Sequence, residues 1–110
     1  MTDARVVLVT VPNEAAGVSL VSALLEAELV ACGNLIPGIR SIYRWKGEIC
    51  DDHEQLLILK TTSTALQALT AKVVELHPYE CPEVIALPIT DGHSDYLSWI
   101  AQNVGSQRIS

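Results

Sequence analysis

The chain has 110 residues, 49% of them hydrophobic, with seven basic against thirteen acidic side chains and a net charge of −6. That length fits one domain, assigned here to residues 1–110, and the acidic balance repels phosphate backbones and anionic lipid surfaces, which speaks against a nucleic-acid or membrane-surface role. No apolar run reaches the roughly 20 residues that span a bilayer, and the opening Met1-Thr2-Asp3-Ala4-Arg5 lacks a basic segment followed by a cleavage site, so a cytoplasmic location is expected.

The first element is the β-branched run Arg5 to Val11, which reads as a strand covered on at least one face. Pro12 stops it, and Asn13 is suited to cap a helix because its side-chain oxygen can accept a first-turn N–H. The helix is expected to run to about Leu29, with Val21, Leu25 and Leu29 on its buried stripe, Leu20 and Leu24 beside them, and Ser19, Ser22 and Glu26 outside. From Ile39 to Trp45 the pattern has period two, placing Ile39, Ser41, Tyr43 and Trp45 on one face and Arg40, Ile42 and Arg44 on the other. Pro37-Gly38 just before it suggests a bulge or an edge, and Lys46-Gly47 a tight hairpin turn. The return strand, Glu48 to Thr61, is apolar in its inner half and polar around Cys50 to Glu54, so the hairpin protrudes beyond what a small domain can cover.

Ser63 is placed to cap a second helix, whose Leu66, Leu69, Val73 and Leu76 lie at spacings of a buried stripe; Pro78 ends it, since the residue before a proline is pushed out of the α region. Val84 to Ile89 reads as a fourth strand, with Pro88 marking an edge or a terminus. A third helix from Ser94 to Asn103 follows the Asp91-Gly92 turn, and residues 104–110 are expected to fray. The order βαββαβ plus a C-terminal helix is the split-βαβ, ferredoxin-like arrangement, an α+β fold with helices on one face of a four-stranded antiparallel sheet. The other face must be solvated or covered by a partner, and Tyr43, Trp45 and the long hairpin favour further copies of the chain.

Five segments carry a family resemblance. Ala31-Cys32-Gly33-Asn34-Leu35-Ile36-Pro37-Gly38, Ser41-Ile42-Tyr43-Arg44-Trp45-Lys46-Gly47, Glu54 with Leu59-Lys60-Thr61, His77-Pro78-Tyr79-Glu80-Cys81-Pro82-Glu83 and Tyr96-Leu97-Ser98-Trp99 occur in order across nearly the whole chain and are similar to the motifs of the CutA family of divalent-cation tolerance proteins. The resemblance implies a PII-like homotrimer whose long hairpins extend the neighbour's sheet, tolerance of copper or other divalent cations, and no catalysis. Some bacterial relatives are proposed to hold copper through a strand cysteine and a His-His-Pro pair; here those positions are Val9 and Leu76-His77, so only His77 remains.

Imidazole and thiolate are what copper or zinc would seek. His77 and Cys32 are the metal candidates; His53 sits among Asp51, Asp52 and Glu54 on a solvated tip, His93 has no assigned role, and Cys32, Cys50 and Cys81 read as reduced thiols because no CxxC spacing occurs. The structural alternative for His77 is a helix C-terminal position, where an imidazolium meets free carbonyls. Trp45, Glu54, Lys60, Tyr96 and Trp99 are candidates to line a cleft between subunits for a small effector or a partner protein, since aromatic walls with a few charges suit such sites. Alternatively the aromatics are interface packing, and Glu54 and Lys60 an ion pair between subunits. Neither a G-x-S-x-G nor a P-loop is present, and Cys32 has no placed base, so no enzyme is expected.

Overall fold

Four antiparallel strands align in the order β2-β3-β1-β4 in the computed structural model, which describes residues 2–105. Strand β1 (Ala4–Val11) is central and pairs with both β3 (Glu48–Thr62) and the short edge strand β4 (Ile85–Pro88), while β2 (Cys32–Trp45) closes the other edge against β3. The register settles the faces. Val7 opposes Leu59 and Val9 opposes Leu57, and with Val11 these four side chains are fully buried on one face. Helices α1 (Glu14–Glu26) and α2 (Leu66–Leu76) cover that face with Leu20, Val21, Leu24, Leu69 and Val73. Burial of each such side chain contributes about 1.5–3 kcal/mol, so a one-residue slip in β1 or β3 would forfeit the core. This is the ferredoxin-like α+β arrangement expected from the order of elements.

Helix α1 starts as expected, the Asn13 Oδ1 accepting the Ala16 N–H at 2.8 Å. It ends earlier than Leu29. Ala27 is its C-cap, and Glu28 adopts a positive φ of 59°. Its buried stripe runs through Gly17, Leu20, Val21 and Leu24, and Leu25 is 43% exposed. Apolar side chains at five positions (Leu20, Val21, Leu24, Leu25 and Leu29) leave the centre of the stripe ambiguous; Gly17 marks it, because a Cβ there would lie 3.0–3.3 Å from Leu35, Leu57 and Val11 and so the helix approaches the sheet most closely on that side. Ser63 does not cap α2. A 3-10 turn over Ser63–Ala65 precedes the helix, and the Ser63 hydroxyl donates to Asp3 Oδ1 at 3.3 Å instead. Leu76, placed on the α2 stripe by spacing, is 43% exposed at the last turn.

The β2–β3 hairpin matches its sequence signals closely. Lys46 and Gly47 both take positive φ, 52° and 82°, which is the backbone of a two-residue turn matched to strand twist. The register shifts between Ile36 and Ile39, so Pro37 and Gly38 form the bulge. Beyond it Ile39, Ser41, Tyr43 and Trp45 share a face, opposite Glu54, Asp52, Cys50 and Glu48. The hairpin gives the molecule its longest dimension, 46 Å against 28 and 22 Å, and leaves Ile42 and Ile49 64% and 63% exposed.

The second sheet face carries Val6, Leu8, Leu56, Ile58, Ile36, Ile85 and Leu87, and α1 and α2 lie on the other side. Ile100 of helix α3 (Ser94–Gln102) and Val104 just beyond it form a second buried cluster with Ala4, Ala31 and Ala65, with Leu97 packed against it. His93 caps this helix, its Nδ1 accepting the Asp95 N–H at 3.2 Å. Fraying does not begin at 104: Val104 is buried, and the Gly105 N–H bonds the Glu28 carbonyl at 2.7 Å, while 106–110 lie outside the described residues. Among the described residues no helix is long and apolar enough to cross a membrane.

Gly33 offers a test of this packing. A Cβ there would lie 2.8 Å from Val21 Cγ1 and 3.0 Å from Leu59 Cδ2. Valine is stiff at χ1 and both neighbours are buried, so Gly33→Ala is expected to cost about 1–3 kcal/mol, read as a lower urea midpoint at unchanged slope. An unaltered midpoint would mean that α1 moves off the sheet at no cost.

Candidate functional site

The uncovered face has two chemically different ends. At the hairpin end, a groove of about 850 Å³ runs between the β2–β3 ladder and the loop that follows α2. Its floor includes Thr10, Tyr43, Trp45, Asp52 and Glu54, and its wall Pro78, Tyr79 and Glu83. The wall is placed by His77. This residue leaves the helix with an extended backbone, as the following proline requires, and is buried. Its Nε2 lies 2.7 Å from the Thr10 carbonyl and its Nδ1 accepts the Tyr79 N–H at 3.1 Å. That pair of partners assigns the neutral tautomer with the proton on Nε2. The Tyr79 ring lies 4.6 Å from the imidazole, and its hydroxyl donates to Glu54 Oε2 at 2.5 Å.

Glu54 is only 7% exposed. Tyr43 makes a parallel contact next to it, its hydroxyl donating to Asp52 Oδ2 at 2.5 Å. Donation to a carboxylate, reinforced by the carboxylates' negative field, raises the Tyr43 pKa to about 12. Tyr79 is raised further, by burial first and by its bond to Glu54 second. Arg40 grips Asp51 with two bonds of 2.9 and 2.6 Å and holds that carboxyl below the usual range. Lys46, at the turn, lies 5.6 Å above the Trp45 ring and 3.4 Å from Glu80 Oε1.

At the opposite end Cys32 pairs across the ladder with Lys60. The Cys32 thiol is 3.7 Å from the Tyr96 hydroxyl, and that contact raises the tyrosine's pKa. Trp99 lies 5.4 Å from Tyr96, and Lys60 Nζ donates to Asn34 Oδ1. The five cleft candidates therefore divide: Trp45 and Glu54 at one end, Lys60, Tyr96 and Trp99 at the other. Tyr43 and Tyr79 also line the groove, although neither is among the cleft candidates read from the sequence and both stand inside the motif segments.

The metal candidates are also apart within one chain. His77 is bound to Thr10, which pairs with Leu56, and Cys32 pairs with Lys60, four residues further along β3. At roughly 3.3 Å per residue that is about 13 Å, far beyond a shared metal's reach of about 2.0–2.3 Å to each ligand. Both imidazole nitrogens are engaged, and no group of three or more His, Cys, Asp or Glu among the described residues is arranged to hold a metal ion. His53 stands on the far side of the hairpin opposite Arg40. The described residues do not form a closed metal centre within one chain.

Two outcomes follow. Tyr79→Phe removes the donor to a nearly buried carboxylate and is expected to destabilise the fold by about 1–3 kcal/mol in urea unfolding, with an unchanged midpoint contradicting the geometry. All three tyrosines hold raised pKa values, so native protein should show little tyrosinate absorbance near pH 10, where the unfolded chain is half ionised. A raised folded pKa gives a contribution to stability that is complete below the unfolded value of about 10 and lost as pH rises through the folded values, so the urea midpoint should fall in that alkaline window.

The same architecture and motifs recur in known proteins. The CutA1 divalent ion tolerance protein family model matches residues 5–103. The divalent-cation tolerance protein CutA of Thermus thermophilus is 49% identical over 101 residues, 92% of this chain and 98% of that one. The chloroplastic protein CutA of Arabidopsis thaliana is 50% identical over 95 residues, 86% of this chain but 52% of that one, so the chain spans about half the length of the plant relative. The solved Cut A1 structure from Thermus thermophilus superposes with a TM-score of 0.90 at 48% identity, covering 93% of this chain and 99% of that one. This chain belongs to the CutA1 divalent ion tolerance protein family.

Proposed function

We propose that this chain is a cytoplasmic divalent-cation tolerance protein that works as a homotrimer without catalysis, copper being the favoured ion. One observation carries the reading. The two groups of cleft residues occupy opposite ends of a single sheet face that is apolar between them, with Ile85 and Leu87 50% and 47% exposed. Such a face is unfavourable in water and favours coverage by a partner of like shape. Copies set head to tail would cover it and bring the Trp45–Glu54 end of one against the Lys60, Tyr96 and Trp99 end of the next. Divalent-cation tolerance is the property named for the relatives, and the chain's acidic balance attracts cations.

A second reading is favoured by the groove itself. Its aromatic walls and carboxylates resemble a small-ligand site more than a metal centre, which supports a PII-like module that takes an effector or a partner protein between subunits. In the metal reading, His77 and Cys32 of the assembly are the ligands to test, with copper held weakly because each imidazole nitrogen already has a partner.

Sedimentation at micromolar concentration is expected to give three copies; a monomer would end the assembly reading. Calorimetric titration of chelator-stripped protein with copper then separates the two functions. Saturable binding that weakens about tenfold or more in His77→Ala or Cys32→Ser supports metal capture and places its ligands, since loss of an inner ligand is worth at least one such step. Absence of binding by the wild type transfers the function to the effector cleft.

A further inference from the structure

Among the described residues Glu54 is the buried carboxylate, and Lys60 the lysine, that makes no ion pair within the chain. Glu54 is nine-tenths buried, yet its hydrogen bond from Tyr79 is neutral, and the ion pairs among the described residues are Arg40–Asp51, Lys46–Glu80 and Lys72–Glu75. Taking a carboxylate out of water without a cation is costly, and folds tolerate it where a cation arrives from elsewhere. No buried polar atom of Glu54 is left unsatisfied, so the oxygen not bonded to Tyr79 opens on the groove. The groove is therefore shaped for a positive group: aromatic rings of Trp45, Tyr43 and Tyr79 around it and a charged, desolvated acceptor at its floor. Lys46 shows the preference in miniature, with its ammonium over the Trp45 ring and beside Glu80 at the groove's rim.

The unmatched ammonium is Lys60. It bonds the Asn34 amide and no carboxylate. Arg5 is held by the Thr2 and Ala4 carbonyls, and Arg44 projects from the other face of the hairpin. By strand register Lys60 is the basic side chain that the four strands present on the uncovered face. Lys60 and Glu54 share that face of β3 but stand six residues apart, about 20 Å at roughly 3.3 Å per residue, so they cannot meet within a chain.

We infer that Lys60 of one copy enters the groove of the next and pairs with its Glu54. The uncovered face then carries its own address: cation at one end, carboxylate at the other, apolar surface between. A pairing of unlike ends suits a heterologous contact, which closes into a ring where its rotation allows, and equally a two-fold contact in which each Lys60 meets the other copy's Glu54; the number of copies in sedimentation separates the two. The inference rests on the assembly proposed above and specifies which chemistry sets its register. A partly desolvated pair of this kind couples strongly, because each partner left alone is a buried uncompensated charge.

The test uses the full chain and a double-mutant cycle. Glu54→Gln and Lys60→Met are each expected to raise the concentration at which the assembly dissociates about tenfold or more in sedimentation at low salt. The double variant should dissociate no more readily than the weaker single one, because the second change removes a partner already lost. Should Glu54→Gln fail to fold, the exchanged pair Glu54→Lys with Lys60→Glu is compared with Lys60→Glu alone, and recovery of assembly in the exchanged variant supports the pairing. Assembly of wild type with unchanged or additive effects of the two neutralisations overturns it. So does saturable, Glu54-dependent binding of n-butylammonium to the assembled wild type, which would make a free amine the occupant. A monomeric wild type would remove the assembly reading first, an outcome separate from these.

Discussion

Side chains on a strand alternate between two faces, and in β3 that alternation is spread over fifteen residues with no break. Leu57 and Leu59 point into the helices, where Val7, Val9 and the helical leucines pack against them. Their neighbours Leu56, Ile58 and Lys60 are thereby committed to the opposite face, and so is Glu54. The core and the candidate cleft are consequently not independent inventions. One hydrophobic register aims both, and the groove at Glu54 is held at a fixed angle to the core by the same ladder of backbone bonds.

Much of this was legible in the residues. The hairpin turn at Lys46-Gly47, the bulge at Pro37-Gly38 and the shared face of Tyr43 and Trp45 follow from backbone preferences and period-two spacing, which are local properties. Leu25 and Leu76 were misplaced because a helix with leucines around much of its circumference has no single apolar stripe to read, and the sheet chooses the face. Ser63 was given a capping role that depends on where the helix begins, and three residues of tighter turn moved that point. The cleft residues could be named from the motifs but not grouped, since only the strand register shows that Trp45 and Lys60 are at opposite ends. Tyr79 went unnoticed for a different reason: its value lies in touching both His77 and Glu54, one beside it in the loop and the other far away in sequence.

His77 illustrates how a metal-like residue can be a mechanical one. A neutral imidazole has one donor and one acceptor, and here the strand carbonyl takes the first while the loop amide supplies the second. The ring thus rivets the loop that walls the groove to the central strand. Loss of that rivet would alter the cleft even if no metal ever touched the side chain, so the histidine motif is intelligible under either reading of the function.

The bulge on the edge strand has an evolutionary consequence. Ile36 and Ile39 both meet the uncovered face although three positions separate them, because Pro37 and Gly38 together stand opposite the single residue Gln55. A strand without that irregularity would send Arg40, Ile42 and Arg44 where Ser41, Tyr43 and Trp45 now stand. Substitutions along the hairpin therefore change one side chain at a time; a single-residue deletion at 37 or 38 would remove the bulge and leave Ile39, Ser41, Tyr43 and Trp45 on the face they hold, whereas a deletion further out would turn every side chain between it and the tip. Single-residue changes of length should therefore be absorbed at the bulge across generations and purged from the arm beyond it, while the composition of the tip remains free to vary.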